Sequence, residues 1–327
     1  MSNSTTHSAT PSGPTDQQAV TPEAAVAAPV TGGPSGLRRI LRMLVADKLA
    51  LLSSLFLVIV ILCAILGPLF LAEMASDTNL RARNAPPFEL ERGFAYILGG
   101  DALGRPLLAR IVMAARNTML IAAGAVAGSM LIGSTLGLIA GYAGRWTGEV
   151  IMRLADVIMS FPSLLLAVIV LYMLAPSIGN LVLVLAITRI PIYLRTTRAE
   201  VLEVRKRMFV QAATVMGASR RRIIFRHILP VILPTLLTIA TLDFAFVMLA
   251  ESALSFLGIG IQAPEITWGL MVSQGRAYLT NAWWLAFWPG LAIILTTMSL
   301  NLLSSWMRVA LNPTQRWRLE IGGKKND

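Results

Sequence analysis

The chain has 327 residues, 55% of them hydrophobic and only 14% charged, whereas a soluble domain carries about a quarter charged residues; with a mean hydropathy of +0.68 it belongs in a membrane. One cysteine, Cys63, and two histidines, His7 and His227, exclude a disulfide framework, a multi-Cys metal site and an HExxH motif, so neither metal nor cofactor is expected. The formal net charge of +11 taken alone hints at nucleic acid, but the basic residues sit in short segments beside apolar runs, the pattern of positive-inside anchoring, and no nucleic-acid partner is expected.

Residues 1–36 are rich in Ser, Thr, Pro, Ala and Gly without apolar periodicity, which predicts a flexible tail. Met1 is followed by polar residues rather than a basic stretch and an apolar core, which argues against a secretory signal. Beyond the tail the chain is best counted in bilayer crossings, each needing about 20 apolar residues for a core of about 30 Å. A first span is expected over 49–72, bounded by Asp47, Lys48 and Glu73, and a second over 117–140, where Gly124, Gly128, Gly133 and Gly137, with Gly141 just beyond, suit close helix packing. The window from Val157 to Thr188 is too long for one crossing. Pro176, Gly179 and Asn180 mark a turn in it, giving a third span over 157–175 and a short fourth over 181–195, which Arg189 and Pro191 interrupt. A fifth span over 228–254 contains Asp243 and Glu251, and a sixth covers 284–306. The expected fold is an all-α membrane protein with six transmembrane helices, a transmembrane domain over 37–313 and a cytoplasmic tail over 314–327.

An even number of spans puts both termini on one side, and Lys and Arg decide which. With the amino terminus inside, the inner segments hold four up to Lys48, two at Arg145 and Arg153, nine from Arg195 to Arg226 and five from Arg308. The outer segments hold six between Glu73 and Arg116, and then Arg276. Both termini are therefore expected in the cytoplasm, with Trp283, Trp284, Trp288 and Trp306 as interfacial anchors.

The longest cytoplasmic loop, about 205–230, reads RKRMFVQAATVMGASRRRIIFRHILP. Gln211 to Met216 should form a short helix whose alanines, Ala212 and Ala213, let another surface approach closely. Gly217 suits the left-handed residue that ends it, and Ser219, after Ala218, suits the N-cap of the next helix. Arg220, Arg221 and Arg222 then fall in a first turn, where the helix dipole disfavours cations by a few tenths of a kcal/mol each. Anionic headgroups or a docked partner protein would favour them there.

At this loop the sequence resembles the permease subunits of binding-protein-dependent ABC importers, whose signature is EAA, three residues, Gly, and a Leu-Pro after a fixed gap. Ala212, Ala213, Gly217, Leu229 and Pro230 match it, and GASRRRIIFRHILP is similar to the variant in permeases for di- and oligopeptides and nickel. Four further stretches agree: Leu98 to Met119, Gly144 to Ala167, Ala250 to Gly269, and Leu311 to Pro313. The resemblance implies a type I importer permease fold in a bacterial inner membrane. It also implies uptake of peptides or related small solutes, in company with a second homologous permease, two ATP-binding cassette subunits, an extracytoplasmic solute-binding protein and membrane lipids. Gln211, Ala212, Ala213, Gly217, Ala218, Ser219, Arg226 and Pro230 would couple the chain to the ATPase. Gln211 replaces the family's Glu, so a charged contact becomes a neutral hydrogen bond of about 1 kcal/mol.

Charges inside spans are costly and are functional candidates. Glu251 lies in a matched stretch, with packing or gating as its expected role. Asp243 lies eight residues earlier, about 80° around a helix, and is expected to face a neighbouring subunit or the pathway. Arg189 is expected to snorkel to the inner interface, and Asp101 with Arg105 reads as a solvated loop pair. No phosphate-binding G-x-x-x-x-G-K-[ST] loop occurs, so this chain should bind no ATP, and no nucleophile-and-base pair marks an enzyme. The competing class is a secondary transporter, with Asp243 or Glu251 carrying a coupling proton.

Overall fold

The computed structural model describes residues 36–142 and 144–311. The expected tails, 1–36 save Gly36 and 314–327, lie outside the described residues, as do Asn312 and Pro313. Among the described residues there is no strand, only an isolated bridge between Gly100 and Pro106.

Helix α1 (Gly36–Ala46) gives way to α2 (Lys48–Ser76) at Asp47, whose carboxylate accepts the backbone N–H groups of Leu49 (3.1 Å) and Ala50 (3.2 Å). That capping supplies partners a helix start lacks. A loop of short 3-10 turns leads to α3 (Leu107–Tyr142), 36 residues long. It begins ten residues before the expected second span because Arg110 and Arg116 enter the helix, Arg110 with an acidic partner described below.

The expected third span does not form as one rod. Helices α4 (Arg145–Met159) and α5 (Ser163–Met173) meet at an 82° bend. Pro162 supplies no N–H and drives the residue before it out of the helical region, so the helix must stop there. At 11 residues, α5 is about 16 Å long, half the hydrocarbon core. The fourth span departs in the other direction: α6 (Ile178–Val204) runs for 27 residues straight through Arg189 and Pro191. Pro191 is buried, and a backbone inside a membrane has no better way to satisfy its polar groups than to stay helical around one missing N–H. The turn before α6 contains Pro176 but ends at Ser177, so Gly179 and Asn180, expected in it, lie in the first turn of α6; Ser177 caps Asn180 (3.1 Å), and the Asn180 side chain donates to the Ala175 carbonyl (2.7 Å).

After α6 come the short α7 (Met208–Val215), the single turn α8 (Arg220–Arg222), a π segment Ile223–Ile228, and α9 (Leu229–Phe256); α10 (Trp268–Gly275) and α11 (Trp284–Leu311) complete the chain. Among the described residues, five helices are long and apolar enough to cross a membrane, and the bent α4/α5 pair makes a sixth if it counts as one crossing.

The most extensive pairing is α3 against α6. The glycine row on α3 makes it close: a Cβ at Gly137 would lie 2.6 Å from the Thr197 Cβ and 2.7 Å from the Leu194 carbonyl oxygen, so only hydrogen fits. Small residues at such crossings let backbones approach where lipid offers no hydrophobic drive. One core cluster gathers Ile121, Leu181, Met248, Leu254, Trp268 and Trp284; a second, at the other end of α3, joins Tyr193, Val201 and Val204 of α6 to Val210 of α7 and to Ile223, Ile228 and Ile232. Through Val210 the connecting loop is rooted in the bundle.

Candidate functional site

Helix α7 starts at Met208, three residues before the expected Gln211. Val210 and Ala213 face the bundle, while Met208 (86% exposed), Val215 (88%) and Met216 (80%) project outward. The two alanines therefore divide, Ala213 packed inside and Ala212 on the surface. The helix closes with the Ala218 N–H donating to the Ala213 carbonyl and the Gly217 N–H to the Thr214 carbonyl, both 3.0 Å, the paired bonds of a Schellman ending. Gly217 holds φ +79°, and a Cβ there would meet nothing within 4 Å. The glycine answers a demand of the backbone, not of space. Ser219 turns the chain into α8, its hydroxyl accepting the Arg222 N–H at 3.4 Å.

Gln211 is exposed, and its carboxamide donates to the Lys206 carbonyl at 3.1 Å, bracing the turn out of α6. The Arg205 guanidinium donates to the Gly141 carbonyl (3.0 Å), fastening that turn to α3. Arg226 and Pro230 are exposed on the far arm. Pro230 offers no N–H to the Arg226 carbonyl, and its ring crowds that carbonyl in a regular α turn. The chain widens ahead of it, with the Leu229 N–H reaching back five residues to the Ile224 carbonyl.

Within the bundle, Arg189 of α6 forms an ion pair with Asp243 of α9 and lies 4.2 Å from the centroid of the Phe246 ring. Arg189 was expected to snorkel and Asp243 to face a neighbouring subunit or the pathway; instead each neutralises the other inside the chain, because two opposite charges in a low-dielectric interior cost less together than apart. The pair is incompletely satisfied: Arg189 Nε, Asp243 Oδ2 and the adjacent Tyr193 hydroxyl are buried without partners. Glu251 is fully buried and accepts a 2.8 Å hydrogen bond from the Ser255 hydroxyl. The two carboxylates thus have separate surroundings.

At the opposite end of α3 from the elbow, Asp101 is no solvated pair with Arg105. It is 6% exposed and accepts the Leu103 N–H (2.8 Å), the Arg105 N–H (2.8 Å), Arg105 Nε (2.7 Å) and the guanidinium of Arg110. Burial alone would raise its pKa, but the Arg105 backbone N–H and the Arg110 and Arg105 charges outweigh it and hold the carboxyl below its ordinary value. Nearby, the Asn117 side chain donates to Glu265 (2.8 Å) and to the Ile266 carbonyl (2.9 Å), while Trp268 donates its backbone N–H to the Thr118 hydroxyl (3.1 Å) and its indole N–H to the Ile111 carbonyl (2.9 Å). Arg110, Asn117, Thr118 and Trp268 were not singled out by sequence reasoning. Their signal was that they lie in two of the matched stretches, which turn out to bond to each other.

Comparison with known proteins adds a second line. Residues 133–317, more than half of the chain, match the family described as binding-protein-dependent transport system inner membrane component, and residues 35–87 match the N-terminal TM domain of oligopeptide transport permease C. The chain is 38% identical over 279 residues to the dipeptide transport system permease protein DppC of Alkalihalophilus pseudofirmus, covering 85% of this chain and 90% of the relative. It is 38% identical over 281 residues to the di/tripeptide transport system permease protein DppC of Pseudomonas aeruginosa (86% and 93%) and 36% identical over 284 residues to the probable D,D-dipeptide transport system permease protein DdpC of Escherichia coli (87% and 92%).

Proposed function

The chain belongs to the family of inner membrane components of binding-protein-dependent transport systems, and from that premise we propose that it forms half of the translocation pathway of an importer for dipeptides or other short peptides. As a permease of this family it works with ATPase and substrate-binding components; hydrolysis is theirs, and the chain is not itself an enzyme. In our reading it pairs with a second, homologous permease, two ATP-binding cassette subunits and one extracytoplasmic binding protein in a bacterial inner membrane, both termini in the cytoplasm. The peptide class is supported by the relatives' names, and the orientation by the excess of Lys and Arg in the inner segments.

The observation that carries the mechanism is the elbow at Gly217. It joins α6 to α9, presents Met208, Val215 and Met216 to a partner, and is rooted through Val210 in the bundle. Closure of the ATPases on ATP would pull on this elbow and tilt α6 and α9 together, opening the pathway from outside to inside. Nucleotide drives such a change only as far as it favours one of the two states. Proton-coupled secondary transport, the competing class, is set aside by the family membership.

The test is uptake of a labelled dipeptide by the assembled complex in proteoliposomes. Uptake that needs both ATP and the binding protein supports the reading; uptake driven by a proton gradient without ATP overturns it. Orientation is tested in a Cys63→Ser background: an impermeant reagent outside intact cells should label Ser76→Cys and spare Ser219→Cys, and the reverse result would invert the topology.

A further inference from the structure

Behind the elbow lies a cavity of about 670 Å³. Its walls are the end of α3 with Tyr142, the start of α4 with Gly148, the end of α6 with Arg198 and Arg205, α7 with Thr214, and Arg220 beyond the glycine. The lining holds three guanidinium groups and no acidic residue. Arg205 gives one N–H to Gly141, but among the described residues Arg198 and Arg220 have no ion pair, and Arg198 Nε is buried without a partner there. Glu149, next to Gly148 on α4, has a partner of its own. Arg205 and Arg220 reach water, but Arg198 is half-buried with its Nε unpaired, and three like charges facing one space favour an anion among them.

We propose that this cavity binds the phosphate of an anionic phospholipid headgroup. Guanidinium forks match phosphate oxygens two at a time, and the volume accommodates a phosphate with its glycerol. A lipid is favoured over a soluble anion by what stands beside the cavity. Along α4, Trp146 (83% exposed), Val150, Leu154 and Val157 form an exposed apolar stripe at helical spacing, the face of a helix lying in a membrane interface. Acyl chains are therefore at hand where the headgroup would sit, and basic pockets between spans at the membrane surface are suited to acidic headgroups. Arg198 and Arg205 precede the elbow and Arg220 follows it, so a bound headgroup would bridge its two arms and fix the seat of α7.

The experiment uses the assembled importer. Native mass spectrometry should find phosphatidylglycerol retained through delipidation by the wild-type complex and depleted about tenfold in the Arg198→Gln, Arg220→Gln double variant. ATPase activity of the wild type in nanodiscs of phosphatidylcholine should rise, and saturate, as phosphatidylglycerol replaces part of it. Equal retention by wild type and variant overturns the proposal, as does a wild type indifferent to phosphatidylglycerol, which decides the matter even if the variant fails to assemble. Stimulation by inorganic phosphate in phosphatidylcholine discs would assign the cavity to a soluble anion instead. Cross-linking of Arg198→Cys to an ATPase subunit would assign it to a protein carboxylate. Lipid retention is read by mass without any transported solute, so the result stands apart from the peptide assignment.

Discussion

Arg189 and Asp243, 54 positions apart, pair across the two helices that the elbow connects. The pair closes the hairpin of α6 and α9 inside the bundle, while the elbow closes it at the surface. On the proposed coupling role, a push on α7 would be delivered to both helices as one body rather than spreading them apart.

Breaking that pair from one side should be expensive. Arg189→Gln or Asp243→Asn alone leaves a buried charge or half a network without compensation and should cost about 3 to 5 kcal/mol of stability. The double variant Arg189→Met, Asp243→Leu should recover most of the loss, since neither charge then remains. Denaturant unfolding of the purified chain in mild detergent reads the difference; additive losses would show that the two residues do not act as a pair.

The elbow depends on a backbone conformation. Gly217→Val should strain it by about 1 to 3 kcal/mol and lower transport in cells, while Gly217→Asn, a residue that tolerates positive φ, should retain most activity. The sister permease should co-purify with both variants, because the site lies outside the spans. Full transport by the Val variant would contradict a coupling role, and loss of the sister permease would point to folding.

The helix crossing makes a steric prediction. Gly137→Leu forces a side chain into the Thr197 Cβ and the Leu194 backbone and should destabilise the chain by about 1 to 3 kcal/mol or more. Gly144→Ala, where an added Cβ meets nothing within 4 Å, serves as the control that should stay near wild type. Equal thermal stability of the two variants would contradict the close approach of α3 and α6.

Acid should loosen the loop between α2 and α3. The carboxyl of Asp101 titrates below its ordinary value of 3.8 in the folded chain, so the unfolded chain binds that proton more readily. The stabilisation is full above the unfolded value and disappears as pH falls through the folded one. Hydrogen exchange over the loop between α2 and α3 should therefore accelerate as pH is lowered below about 4, after correction for intrinsic rates. Asp101→Asn should show the loosened loop already at neutral pH; protection unchanged by either treatment would remove the carboxylate from that role.

Apolar length and the residues that stop helices made most of the bundle legible in the sequence: Ser219 caps where its position suggested, and Gly217 takes the positive φ expected there, while the caps at Asp47 and Ser177 emerged only in the structure. Charge and proline misled at Arg189 and Pro191, because what either costs inside a membrane depends on neighbours 54 residues away in sequence, such as Asp243. Pro162 was the opposite case, a break inside an uncharged run that hydropathy alone reads as continuous. The docking of Trp268 on α3 is a long-range contact, invisible to any local pattern, whereas the Asp101 hub is local in sequence and only its burial and its third partner, Arg110, escaped the reading.

The wide turns of Ile223–Ile228 hold one residue more than a regular α-helix would need to cover the same rise. Loss of one residue from this stretch would tighten it to ordinary turns and press the Pro230 ring against the carbonyl one turn back, so the helix could absorb that loss only together with the proline. A deletion of equal size inside α9 would instead rotate Asp243 away from Arg189 by about 100°. Length just behind the elbow is thus tied to Pro230, and length within the hairpin to the Arg189–Asp243 pair.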